Sequence, residues 1–89
     1  MIFEWNEQKR RDNLRKHGLD FADCDEVFQG PMITMLDDRF AYDEARLLAF
    51  GLLRERIVVI AYAEAEGVIR VISMRKADRR EKTWYFENL

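Results

Sequence analysis

The sequence predicts an α+β domain, a mainly antiparallel sheet of about five strands with two helices before it and one after it. Three observations carry that expectation. The runs Ile57–Ala63 and Val68–Met74 are rich in Val and Ile, which fit a pleated, half-buried surface, and only Glu64-Ala65-Glu66-Gly67 separates them. The segment from Asn6 to Gly18 is polar and carries the end signals of a helix. After Met74 the apolar period lengthens, and Asp78 and Glu81 stand at capping-box spacing.

The two Val/Ile runs are apolar on both faces, so they belong in the middle of the sheet with cover above and below. Their register decides where the polar residues point. A three-residue loop Ala65-Glu66-Gly67, with Gly67 closing a bulge, pairs Glu64 with Val68 and Tyr62 with Arg70. Glu64 and Arg70 then share a face and stand diagonally across it. A two-residue loop shifts the pairing by one and sends them to opposite faces. The three-residue loop is the expectation adopted, because the catalytic reading below requires it.

In chain order, Ile2–Trp5 reads as an edge strand. Asn6 is a good N-cap, with Glu7 in the first turn where the helix dipole favours an anion. The helix runs to about His17 and stops at Gly18 in a left-handed conformation, with Leu19 packing back beneath it. Its apolar content is little beyond Leu14, so it is either mostly exposed or faces polar groups. Lys9, Asn13 and His17 recur every four residues and form one stripe. Asp20 caps a second helix, Phe21 to Gln29, with Phe21, Cys24, Val27 and Phe28 as its apolar face. Gly30-Pro31 ends it. Met32–Leu36 is a strand, 37–43 a polar loop and Arg46–Leu53 another strand, with a bulge expected at Gly51. A tight turn at Arg54-Glu55 leads into the central pair. The last helix, about Arg79–Asn88, carries Trp84 and Tyr85, and Arg80 shares a face with Trp84.

Length and composition narrow the function. Eighty-nine residues, 48% apolar and 36% charged, make a single globular domain, residues 1–89, with one core. The start MIFEWNEQKR has no apolar signal-peptide core, no run is long enough to span a bilayer, and Cys24 has no disulfide partner. Together these lead to the expectation of a cytoplasmic protein. The net charge of −2 argues against a generic nucleic-acid binder, yet the charge is unevenly spread. Residues 1–45 carry six Lys/Arg against eleven Asp/Glu, and residues 46–89 carry nine against six. Lys9-Arg10-Arg11 with Arg15-Lys16, and Arg75-Lys76 with Arg79-Arg80 and Lys82, are basic clusters; a solvated helix face and a functional patch account for them about equally well. One His, one Cys and no carboxylate cluster at ligand spacing give no expected metal, and four scattered Gly residues give no phosphate-binding loop. No cofactor is expected.

Three blocks, FEWNEQKRRDNLRKHGLDF, EVFQGP and YAEAEGVIRVISMRKADRRE, resemble the BrnT toxin family in order and spacing from Phe3 to Tyr85. The chain departs from the family's usual pattern at Asn6 (Asp), Ala63 and Asp78 (Thr) and Met74 (Ala), none of them a candidate catalytic group. The resemblance implies a RelE-like fold and a ribonuclease toxin of a bacterial type II toxin–antitoxin system. It further implies RNA cleavage without a metal, inhibition of translation, and neutralisation by BrnA, a ribbon-helix-helix antitoxin through which the complex reaches DNA. It points to the His of the KHG motif and to the Glu and Arg of the sheet, here His17, Glu64 and Arg70, as catalytic.

The chemistry suits these residue types. Metal-free cleavage uses the RNA 2′-hydroxyl as nucleophile and needs a proton acceptor, a cation for the growing phosphate charge and an acid for the leaving oxygen. His17 could serve as base or as acid. Glu64 could accept a proton or hold Arg70, whose planar fork fits phosphate oxygens. Lys9, Arg75, Arg79 and Arg80 would follow the RNA backbone, Asn13 would add an RNA contact, and Trp84 and Tyr85 would stack bases. Each also has a plain alternative. His17 suits a helix C-terminus as a cation, and Glu64–Arg70 is a common cross-strand pair. Asn13 equally suits a bond to local backbone, and Trp84 and Tyr85 equally suit seating the last helix on the sheet. The rival to an enzyme is a binding module whose basic surface holds an antitoxin or another partner.

Overall fold

The structure is a computed structural model and describes residues 1–39, 41 and 44–89. Its sheet has five strands in the order β1 (Ile2–Glu4), β5 (Val68–Lys76), β4 (Arg56–Ala65), β3 (Leu47–Leu53), β2 (Ile33–Leu36). β1 lies parallel to β5 and every other pairing is antiparallel, so the sheet is mixed. The α+β class, the N-terminal edge strand and the central β4–β5 pair are as the sequence predicts. Among the described residues, no helix is long and apolar enough to cross a membrane.

Each face of the sheet has its own cover. On one, α1 (Glu7–His17), a 3-10 turn (Phe21–Asp23) and α2 (Cys24–Gln29) bury Leu19, Phe21, Cys24 and Val27 against Ala49, Val58, Ile60, Tyr62, Ile69, Val71 and Met74. On the other, α3 (Arg79–Asn88) lays Tyr85 over Leu48, Phe50, Ile57, Val59 and Ala61. The alternation of side chains along β3 and β4 sorts their residues cleanly between these two cores.

Local signals place the helices. Asn6 accepts the Lys9 backbone N–H at 3.0 Å, and Gly18 (φ 70°) donates to the Leu14 carbonyl, closing α1. The expected second helix begins as a 3-10 turn capped by Asp20 and becomes α only at Cys24. Cys24 is a free thiol buried in that stripe, its pKa pushed up to about 11 by burial, which makes it inert packing. Asn13 alone is buried on α1. β1 stops at Glu4, so its pairing with β5 ends at Arg70. Further along that edge the Asn13 amide takes the place of a strand, accepting the Met74 N–H at 3.1 Å and donating to the Met74 carbonyl at 2.8 Å.

Two expectations about glycine and register are corrected. Gly51 marks no bulge, since β3 and β4 pair without interruption. It marks close approach of α2, because a Cβ there would stand 2.8 Å from Val27 Cγ1. The β4–β5 loop has two residues, not three. Glu66 (φ 52°) and Gly67 (φ 80°) form a tight turn, and Ala65 pairs with Val68, Glu64 with Ile69 and Ala63 with Arg70. The bulge lies farther along, where Ala61 pairs with Ser73 and Tyr62 with Val71, leaving Ile72 as the extra residue on β5.

Candidate active site

That bulge sets the site. Ahead of it, alternate residues Ile69 and Val71 face α1 and α2, so Arg70 points to the α3 side. The extra residue at Ile72 reverses the parity beyond it. Met74 then faces the helical core, and Arg75, paired with Val59, joins the α3 side. Without the bulge, Arg75 would lie under α1.

Arg75 forms the wall of a cleft of about 410 Å³ between the sheet and α3. Met35, Leu48, Phe50 and Trp84 supply apolar surface, and Arg39, Arg75, Arg80, Asp78 and Glu81 the polar groups. The start of α3 is built to serve it. Asp78 accepts the Glu81 N–H at 2.8 Å and Glu81 accepts the Asp78 N–H at 2.9 Å, a complete capping box. Glu81 also receives both ends of the Arg75 fork, Nη1 to Oε1 at 2.8 Å and Nη2 to Oε2 at 2.9 Å. The Arg75 hydrogen bonds, the Asp78 N–H and the nearby Arg39 charge hold the Glu81 carboxyl below its usual range, against a smaller contrary effect of burial. Arg75 is correspondingly harder to deprotonate. Across the cleft, the buried Asp37 grips Arg39 through Nε at 2.7 Å and Nη2 at 2.9 Å. Trp84 leans on Phe50 with ring centroids 5.0 Å apart, and Arg80 lies one turn before it.

Two guanidinium forks with their orientation fixed by carboxylates, a third arginine and an indole around one cleft can bind a phosphate beside a stacked base. A family model described as "Ribonuclease toxin, BrnT, of type II toxin-antitoxin system" matches residues 5–81. The chain belongs to the BrnT family. Membership makes it a ribonuclease toxin with an RNA target and an antitoxin partner. A comparison with curated proteins finds no match. The cleft of this BrnT domain presents Arg39, Arg75 and Arg80 beside Trp84, with Asp78 and Glu81 in the same lining.

Of the three residues that the resemblance singles out, His17 stands apart, while Glu64 and Arg70 leave the hairpin on opposite faces yet line one hollow. Glu64 faces the α1–α2 side, where its charge acts on Tyr62. Arg70 faces the α3 side and is ion-paired with Glu44, in a hollow of about 400 Å³ that Glu4 and Glu64 also line. His17 ends α1 beside Gly18 and Leu19, which with Arg54 and Arg56 line a hollow at the far end of the sheet from the Glu66-Gly67 turn. The expected meeting of Glu64 with Arg70 on one face is therefore overturned by the two-residue turn. Of the expected RNA contacts, Arg75, Arg80 and Trp84 line the cleft and Arg79 is exposed beside it at the start of α3. Lys9 is exposed on α1, away from the cleft. Asn13 is buried with its amide committed to Met74 and Leu19. Sequence reasoning passed over Asp37, Arg39 and Glu81 as site residues. Glu81 carried a signal, its capping-box position six residues after Arg75; Arg39 stands in the polar loop with no local mark of its destination. Among the described residues, no three His, Cys, Asp or Glu side chains are grouped to hold a metal.

Proposed function

We propose that the cleft under α3 is the site of RNA cleavage and that it works by charge stabilisation without a metal. The 2′-hydroxyl gives its proton to water as its oxygen attacks the adjacent phosphorus, the bond to the 5′-oxygen breaks, that oxygen takes a proton from water, and a 2′,3′-cyclic phosphate remains. Arg75 and Arg39 meet the charge that grows on the phosphate oxygens, Arg80 holds the neighbouring backbone and Trp84 stacks a base. Glu81 is a positioning residue in this reading. Its lowered basicity suits it to aim Arg75 rather than to take a proton. Glu64 and Arg70 keep a structural part at the hairpin end, and His17 at the end of α1. By the same reading the toxin acts in the cytoplasm, where RNA cleavage inhibits translation, and a BrnA-like ribbon-helix-helix antitoxin neutralises it.

The clustering of Arg39, Arg75 and Arg80 around an aromatic floor supports this reading most directly. Purified protein incubated with RNA in excess chelator is expected to release fragments ending in cyclic phosphate, and Arg75→Ala to lose that activity while staying folded. Full cleavage by Arg75→Ala, or activity that chelator abolishes and added metal restores, would overturn it.

A further inference from the structure

α3 presents three rows to its surroundings. Tyr85 seats it on the sheet and is fully buried. Arg80 and Trp84 flank the cleft described above. On the opposite flank Lys82 and Phe86 repeat the same pattern, a cation one turn before an aromatic ring. They line a second hollow of about 320 Å³ with Arg56, Lys76, Ile57 and Glu55.

Two properties of this hollow stand out. Phe86 is 64% exposed although it is a large aromatic residue on an ordered helix. Arg56, Lys76 and Lys82 are also exposed, and none of them makes an ion pair among the described residues. Arg39 and Arg75 in the first cleft are, by contrast, held by carboxylates. Three cations against the single carboxylate of Glu55, around an uncovered ring, form a place for a polyanion with flat apolar parts.

We propose that this hollow is a second RNA subsite, in which Arg56, Lys76 and Lys82 hold backbone phosphates and Phe86 stacks a base outside the cleavage position. The inference rests on the reading of the first cleft as the cleavage site. Single-stranded RNA then crosses α3 from one flank to the other, past the exposed Arg79. A helix with its side chains is about 10–12 Å across, so only an RNA of several nucleotides reaches both flanks and a dinucleotide fills the first alone. An acidic peptide would satisfy the cations. The matching cation–aromatic rows on the two flanks of one helix, in a ribonuclease, favour RNA.

The test compares Phe86→Ala and Lys82→Ala with the unaltered protein on a dinucleotide and on a single-stranded RNA of about twelve nucleotides, a length within the range of single-strand binding sites. Phe86→Ala is expected to raise KM on the longer RNA roughly tenfold, the loss of one stacked base, with kcat unchanged and dinucleotide cleavage untouched. Lys82→Ala is expected to weaken binding of the longer RNA and to reduce its salt dependence by about one phosphate contact. An unchanged KM on the longer RNA in both variants overturns the inference. So does equal loss on both substrates, or weakened antitoxin binding with RNA kinetics intact, which would make the hollow a protein interface. If the unaltered protein cleaves neither substrate, the reading of the first cleft falls as well; if it cleaves both and the variants match it, this inference falls alone.

Discussion

Arg70 and Arg75 lie on one strand, face the same side of one sheet and have opposite surroundings. Arg70, near the hairpin, is paired with Glu44 in a hollow that Glu4 and Glu64 also line. Arg75, beyond the bulge, is aimed by Glu81 into a cleft shared with two further arginines and a tryptophan. A guanidinium whose near neighbours are carboxylates offers little to a phosphate. One that is oriented by a carboxylate and accompanied by other cations offers an anion site. Residue type is the same in both; what differs is the number of positive neighbours and the presence of an aromatic floor.

The sharpest way to break this contrast is to remove each arginine in turn. Arg75→Ala is expected to lower the cleavage rate by about 10²–10³-fold, the usual loss when a donor to a developing oxyanion is deleted. Arg75→Lys should restore only a small part, since a point charge lacks the fork. Arg70→Ala should leave the rate within a few-fold of the parent, and its ion pair, exposed on both partners, should contribute at most about 1 kcal/mol to stability. Single-turnover cleavage with circular dichroism as a folding control reads all three. The reverse ranking would return the active site to the hairpin end.

What could be read from the sequence follows the range of the interaction. Asn6, Gly18 and the Asp78–Glu81 box act within four residues of themselves and are legible as caps. The stripe Phe21, Cys24, Val27 reads as a buried face and is one. The hairpin register was not legible in this way. It turns on whether Glu66 accepts a positive φ, which a glutamate seldom does and here does. The bulge at Ile72 lies in the stretch Val71-Ile72-Ser73-Met74, where one extra residue leaves no mark. One local conformational choice and one silent insertion thus set Glu64 and Arg70 on opposite faces and brought Arg75 to α3. Arg39 reaches the cleft from a distant loop, which no spacing rule could supply.

The next effect in size concerns how the bulged half of β5 is held. Beyond Arg70 that edge has lost its strand partner, and Asn13 supplies the hydrogen bonds to Met74. Asn13→Ala leaves a buried N–H and carbonyl unmet and should cost about 2–3 kcal/mol, seen as a lower midpoint in urea. Asn13→Asp keeps an acceptor for the Met74 N–H but sets a carboxylate against the Met74 and Leu19 carbonyls, and should also destabilise. At the hairpin end, Glu64→Ala removes an exposed side chain and should change the midpoint little. Gly51→Ala, where α2 meets β3, should cost about 1–2 kcal/mol, because Val27 is itself fully buried and has little room to yield. A stable Gly51→Ala would mean that α2 rides more loosely on the sheet than its contacts imply.

The smallest expected effect sharpens the contrast through pH. Glu81 has a folded-state pKa below its ordinary 4.5, chiefly because Arg75 donates to it. A group with a depressed folded pKa adds stability that is fully present above its unfolded value and disappears as pH falls through the folded one. Glu81 should therefore support the start of α3 without change from pH 7 down to about 5, and lose that support progressively below 4.5. Glu81→Gln keeps an acceptor for the Asp78 N–H but not the charge that grips Arg75. The stability gap between the parent and this variant should be constant near neutrality and close in acid. Arg75→Ala should shrink the same gap at pH 7, because the charge then has no fork to hold. A gap that persists unchanged at pH 3, or that Arg75→Ala leaves intact, would show that Glu81 serves the helix cap alone and that Arg75 is aimed by something else.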